Sequence, residues 1–235
     1  MIKKFGILLL IFQLTSCAEL QNIAGEVLDE DVLTSTDIAN GLKEALTIGI
    51  SNGSDILSAT DGYFKSQYKI LLPEEARKVT DKLQNIPGFS QVEDIILEKI
   101  NRGAEDAAKK AKPIFVDAIK SMSFDDATGI LMGNNDAATE YLNRSTRTKL
   151  YDEFNPVIVT SLNKFNAIEY WADAVNTYNK IPFVEKLNPS LDQYVTEQAL
   201  DGLFNMVEKE EVKIRKDISA RTSDLLRKVF AKQDN

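Results

Sequence analysis

Histidine is absent from these 235 residues, and cysteine occurs once, at Cys17. Each absence removes a class of chemistry. Without His there is no Ser-His-Asp or Cys-His triad, and the usual zinc and copper sites lose their ligands. A single Cys allows no intramolecular disulfide. What stays open is carboxylate-pair, Ser-Lys or Tyr chemistry and oxygen-ligand metals such as calcium. Positive charge is also short, with 28 Lys and Arg against 36 Asp and Glu. A surface of that sign repels a phosphate backbone and excludes nucleic acid as a partner. No run alternates at period two with β-branched residues, so no strand is expected. There is no low-complexity tract and no repeat at a solenoid period.

What is present begins at the front. Lys3 and Lys4 form a short cationic region, and Phe5 to Leu14 is a ten-residue apolar run. Crossing the hydrocarbon core takes roughly twenty apolar residues, so this segment reads as a cleaved export signal. It ends in Leu14-Thr15-Ser16-Cys17. An aliphatic residue, two small or hydroxylated residues and then Cys resembles a bacterial lipobox. The resemblance implies cleavage before Cys17 and a mature chain carrying three acyl chains there. At about 0.8 kcal/mol per buried CH₂, that anchor does not release. Ala18 stands where Asp would resemble an inner-membrane retention signal, so the analogy points to the periplasmic face of the outer membrane.

Without residues 1–16 the chain keeps 219 residues, with 26 basic against 36 acidic side chains. From Cys17 to Leu42 there is no Lys or Arg. Residues 17–33 carry no sustained helical stripe and read as a lipidated acidic tether. The sixteen residues after Cys17 reach about 55 Å at most. Asp29-Glu30-Asp31 reads as part of this tether rather than as a calcium ligand set.

The folded part is expected over 34–231 as one all-α domain of about eight to ten helices. Thr34 or Ser35 caps a helix bearing Ile38, Leu42, Ala45 and Gly49, which Asp61-Gly62 closes. Tyr63 to Leu72 reads as a short helix, and Pro73 opens the next with Glu74 and Glu75 at its positive end. After the turn at Ile86-Pro87-Gly88, Ser90 to Glu93 forms a capping box. The helix that follows carries Ile96, Ile100, Gly103, Ala104, Ala107 and Ala111, small enough along one side for a close neighbour. Pro113 kinks or breaks it. Ser123 with Asp126 caps a further helix, and Asn135 or Asp136 starts another. Ala167 to Tyr178 follows, then a long pattern from Leu191 into the charged stretch Glu208 to Lys216. The last helix is capped by Thr222 or Ser223.

Four segments together resemble a known family: Thr60-Asp61-Gly62-Tyr63-Phe64-Lys65, Asn101 to Lys110 (NRGAEDAAKK), Tyr178-Asn179-Lys180-Ile181-Pro182-Phe183, and Ala199-Leu200-Asp201-Gly202-Leu203-Phe204. The family is that of bacterial lipoproteins catalogued as domain of unknown function 4197. The resemblance covers roughly residues 34 to 231 and implies one continuous domain. It carries no activity, substrate, cofactor or catalytic residue.

Two clusters stand out as candidate sites. Arg102, Glu105, Asp106 and Lys109 share one helical face, either as a polar patch for a charged ligand or as a ladder of helical ion pairs. Tyr170, Trp171, Tyr178 and Phe183 either line an apolar pocket or belong to the core. No metal ligand set and no cofactor site is read. The expected role is a non-enzymatic, lipid-anchored module that binds another envelope component, a protein first. The rivals are a carrier of a lipid or small apolar molecule, with a cavity near the Gly103–Ala111 seam or the aromatic cluster, and a carboxylate hydrolase.

Overall fold

Helix formation follows the 3.6-residue recurrence of apolar side chains, and the burial pattern matches it. The computed structural model describes residues 33–73, 77, 92–164, 166–180, 182–183, 185–187, 190–231 and 234. The chain divides into two units, Met1–Thr34 and Ser35–Asn235. Eight α-helices and no strand occur among the described residues, all in the second unit: α1 Ser35–Ser58, α2 Val92–Ala108, α3 Ala111–Ser121, α4 Phe124–Leu131, α5 Ala137–Asn163, α6 Ala167–Tyr178, α7 Leu191–Lys216 and α8 Asp224–Phe230. A single 3₁₀ turn, Ile218–Ala220, joins the last two.

Three long helices form the frame. α7 packs against both α1 and α5, and α2 lies against all three. On α1 the buried stripe is Ala39, Leu42, Leu46, Ile50 and Leu57, with Gly49 and Gly53 between. A methyl at Gly53 would stand 2.9 Å from Met206 Cγ, and one at Gly49 would stand 3.3 Å from Glu210 Cβ. These glycines let α1 lie close along α7. Phe115 of α3 meets Phe204 of α7 edge to face, ring centres 5.6 Å apart, an arrangement that adds about 0.5–1.5 kcal/mol to the area buried.

α5 is patterned differently. Ala138, Leu142, Thr146, Leu150, Phe154, Ile158 and Leu162 are all buried at strict intervals of four. Each step of four residues overshoots a full turn by about 40°, so the buried stripe winds around the helix. That winding lets one helix serve α2, α3, α4, α6 and α7 in turn.

Helix ends are joined by side chains rather than by local caps alone. Ser123 does cap α4, accepting from Asp126 N–H at 3.1 Å while its own N–H donates to Asp126. Asp136 precedes α5 but makes no side-chain cap. The N–H groups of Ala138 and Thr139, with the Thr139 hydroxyl, donate instead to the buried carboxylate of Glu211 at 2.8–3.0 Å. Arg215, one turn along α7, pairs with Glu211 at 2.8 Å and donates to the C-terminal carbonyls of α4 at Ile130 (2.8 Å) and Leu131 (3.0 Å). A carboxylate thus meets a positive helix end and a guanidinium a negative one. Arg221 closes α7 by donating to Ile214 and Arg215 carbonyls and holds Asp234 through two bonds of 2.7 Å.

The segment Tyr63–Leu72 is not a helix. It runs as turns to Tyr68 and then without regular secondary structure to Leu72. Turn bonds such as Ser66 N–H to Tyr63 O and Lys69 N–H to Ser66 O close it locally, and the N–H groups of Tyr63, Phe64 and Ile70 bond to α2 side chains. Pro113 falls just inside α3, so α2 and α3 are separate helices. The expected capping box at Ser90, the turn at Ile86-Pro87-Gly88 and the helix start after Pro73 lie outside the described residues, as do the export signal and most of the tether.

Glu211→Ala is expected to destabilise the fold by about 3–5 kcal/mol, since it strands a buried guanidinium and uncaps α5. Urea unfolding followed by circular dichroism measures it.

Candidate functional site

The surface of interest is built by the segment after α1 and the face of α7 beside it. Asp61 sits at φ 69°, a conformation that Asp tolerates better than most side chains, and it turns the chain sharply out of α1. Gly62 follows where any side chain would strike backbone: a methyl there would lie 2.4 Å from the Ile56 carbonyl oxygen.

α2 holds this turn. Glu105 is 5% exposed, and its Oε1 accepts the N–H groups of Tyr63 (3.2 Å) and Phe64 (3.1 Å). Its Oε2 pairs with Arg102 at 2.8 Å, and Arg102 reaches on to Asp61 at 2.8 Å. The Arg102 guanidinium also lies over the Phe64 ring, 5.0 Å from its centre. Further along, Asn101 is fully buried; its side-chain oxygen accepts Ile70 N–H (2.8 Å) and its amide donates to Ile70 O (2.9 Å). A single amide thereby completes both backbone groups of one residue. Tyr63 is driven inward, where its hydroxyl donates to the Ala199 carbonyl at 2.7 Å. Burial pushes this hydroxyl well above the usual tyrosine range. Gly202 makes room for the ring, since a methyl there would stand 2.9 Å from it.

The sequence-derived candidates divide accordingly. Arg102 and Glu105 come together with Asp61 in the clamp. Asp106 and Lys109 form a separate, exposed pair at 2.8 Å. Trp171 and Tyr178 are buried on α6, whereas Phe183 is fully exposed at φ 64°. Tyr170 belongs to α6, and its side chain is outside the described residues. The Gly103–Ala111 seam is filled by α5: Ala104, Ala107, Ala108 and Ala111 are fully buried, and a methyl at Gly103 would stand 3.3 Å from Ser161. Cys17 lies outside the described residues.

Beside the clamp is an open cleft of about 620 Å³, its walls mostly apolar. The segment from Ile56 through Gly62 to Tyr68 forms one side; Met206, Lys209 and Glu210 of α7 form the other. The Tyr68 hydroxyl lies 3.7 Å from the Met206 sulfur. Burial, with a smaller contribution from the charge of Glu210, pushes that hydroxyl above its usual range against a lowering contact from Gln67. Glu210 is the unusual member. Of the five buried charged side chains among the described residues, Glu105, Glu211, Arg215 and Arg221 are paired, and Glu210 has no hydrogen-bond or ion-pair partner. Sequence reading missed it because it sits inside the charged stretch from Glu208 to Lys216. The available signal was its spacing: Gly202, Met206 and Glu210 continue the buried stripe of α7 at intervals of four.

A smaller recess of about 380 Å³ lies between α5 and α7, lined by Asp136, Glu140, Arg147, Asp201 and Glu208 among others. Arg147 is already held there by Asp201 at 2.8 Å and by Glu197. Among the described residues no group of three or more His, Cys, Asp or Glu is arranged to hold a metal ion. None of the described helices is long and apolar enough to cross a membrane.

The clamp has a pH signature. Hydrogen bonds first from Lys65 and then from Arg102 hold the Asp61 carboxyl below its ordinary 3.8. A depressed folded value contributes stability that is complete above the unfolded value and lost as pH falls through the folded one. Between about pH 5 and pH 2 the wild type is therefore expected to lose more stability than Asp61→Asn, which lacks this component and starts less stable. Urea midpoints measured across that range check it.

No curated protein and no solved structure matches the chain. A family model does, over residues 32–231. That span takes in the clamp, the cleft and all eight described helices. The chain belongs to the family described as Protein of unknown function (DUF4197).

Proposed function

We propose that this protein is a non-enzymatic binding module, lipid-anchored through Cys17 at the periplasmic face of the outer membrane, which presents the Tyr68–Met206 cleft to another envelope component, a protein. The observation that carries the reading is the cleft itself. It is mostly apolar, of a size that binds ligands (about 300–1,000 Å³), open to solvent, and lined by Glu210, a largely covered residue whose carboxylate has no hydrogen-bond or ion-pair partner among the described residues. The Glu210 carboxylate still meets solvent, since among the described residues Ser54 Oγ alone is a fully buried side-chain polar atom without a partner, and it is therefore open to accept a donor presented by a partner. An open cleft holds a small free ligand poorly, because such ligands are normally 70–90% enclosed. A group presented by a larger partner is anchored elsewhere and does not need enclosure. The anchor rests on the lipobox resemblance at Leu14 to Cys17 and on the acidic tether that follows.

Two measurements test this. Cells fed labelled palmitate are expected to label the wild type and not Cys17→Ser, with the variant released from the membrane fraction. A photoreactive residue at Ile56, half exposed on the cleft rim, is expected to give one discrete envelope-protein adduct that the same residue at exposed Asp152 on α5 does not. If native mass spectrometry instead finds reproducible lipid or metabolite mass on the protein, carriage of that molecule replaces partner binding.

A further inference from the structure

We propose that the cleft recognises a lysine side chain of the partner, its four-carbon stem lying along Tyr68, Met206 and Ile56 and its ammonium meeting Glu210. This rests on the reading of the cleft as the partner-binding surface and names what that surface selects.

Three features point to an ammonium. Glu210 is 9% exposed, lines the cleft, and has no hydrogen-bond or ion-pair partner among the described residues. An ionised carboxylate only accepts hydrogen bonds, so its complement must be a donor, and a charged donor gives the stronger bond. The chain is acidic, with 36 acidic against 28 basic side chains, and its field draws cations toward such a site. The remaining walls are chiefly apolar, which suits the stem of a lysine: long charged side chains bury their methylenes while the head keeps a polar partner.

The apolar length of the cleft matches the straight four-carbon stem of a lysine, which carries its charge as a compact ammonium at the tip. Glu210 is held in position from behind, since α1 passes at Gly49, where even a methyl would stand 3.3 Å from Glu210 Cβ. Lys209 does not fill the role. It is exposed and forms no pair with Glu210, and neighbours at i, i+1 on a helix do not face each other.

Met206 supplies a reporter inside the cleft, and Met132, exposed beyond α4, one outside it. The full-length protein labelled with ¹³C at methionine methyls would be titrated with Nα-acetyl-lysine-N-methylamide. The Met206 methyl resonance is expected to shift saturably while Met132 stays fixed. The norleucine analogue, which keeps the stem and lacks the ammonium, is expected to bind about tenfold or more weakly, as is the lysine probe on Glu210→Gln. Equal shifts from norleucine and lysine would overturn the lysine assignment, and so would no Met206 shift at all. The norleucine comparison needs no variant, so it decides the matter even if Glu210→Gln misfolds. The two readings fail separately. A cleft crosslink that persists undiminished in Glu210→Gln leaves partner binding standing and removes lysine recognition; absence of any partner adduct from Ile56 removes both.

Discussion

The surface beside α7 depends on one buried carboxylate. Glu105 accepts the N–H groups of Tyr63 and Phe64 from a segment that forms no helix, and it balances its charge against Arg102. An unsatisfied buried N–H costs about as much as a lost hydrogen bond, so without Glu105 this stretch could not lie where it does. Its position sets the rest. Tyr63 reaches the Ala199 carbonyl across the room left at Gly202, and Tyr68 arrives opposite Met206 as one wall of the cleft. A helix side chain, a turn and a third helix are thereby coupled into one surface.

The same device recurs at the helix ends. Glu211 supplies the cap that α5 lacks locally, and Arg215 and Arg221 close α4 and α7 from a distance. Lys43 of α1 likewise donates to the Met122 carbonyl, 2.7 Å away, just past the end of α3. Short helices such as α4 are marginal by themselves, and these long-range caps tie their ends to the frame. Charge inside this domain is used to fix backbone, and nearly all of it is spoken for. That is why the unpaired Glu210 stands apart.

The fold class was legible because it depends on local periodicity. The stripe on α1, the Ser123–Asp126 capping box and the long pattern from Leu191 are all set by residues three or four apart, which share a helical face. What was hidden depends on contacts far apart in the chain. Tyr63 to Leu72 has helix-like apolar spacing, but Asn101 and Glu105, some thirty to forty residues on, hold its backbone in a non-helical path together with local turn bonds around Ser66. Asp136 looked like a helix cap, but the cap comes from Glu211. Arg102 and Glu105 were visible as one helical face, whereas Asp61, the second partner of Arg102, was not. The cleft was the least legible, since its acid lies in a charged run and is covered where α1 passes it at Gly49.

The central claim is that Glu105 holds the Tyr63–Phe64 backbone as firmly as a secondary-structure bond would. Native-state hydrogen exchange at these two amides tests it directly. The account predicts protection in the wild type comparable to that of buried α7 amides, and selective loss at Tyr63 and Phe64 in Glu105→Ala while α5 amides remain protected. Rapid exchange at both positions in the wild type would contradict it.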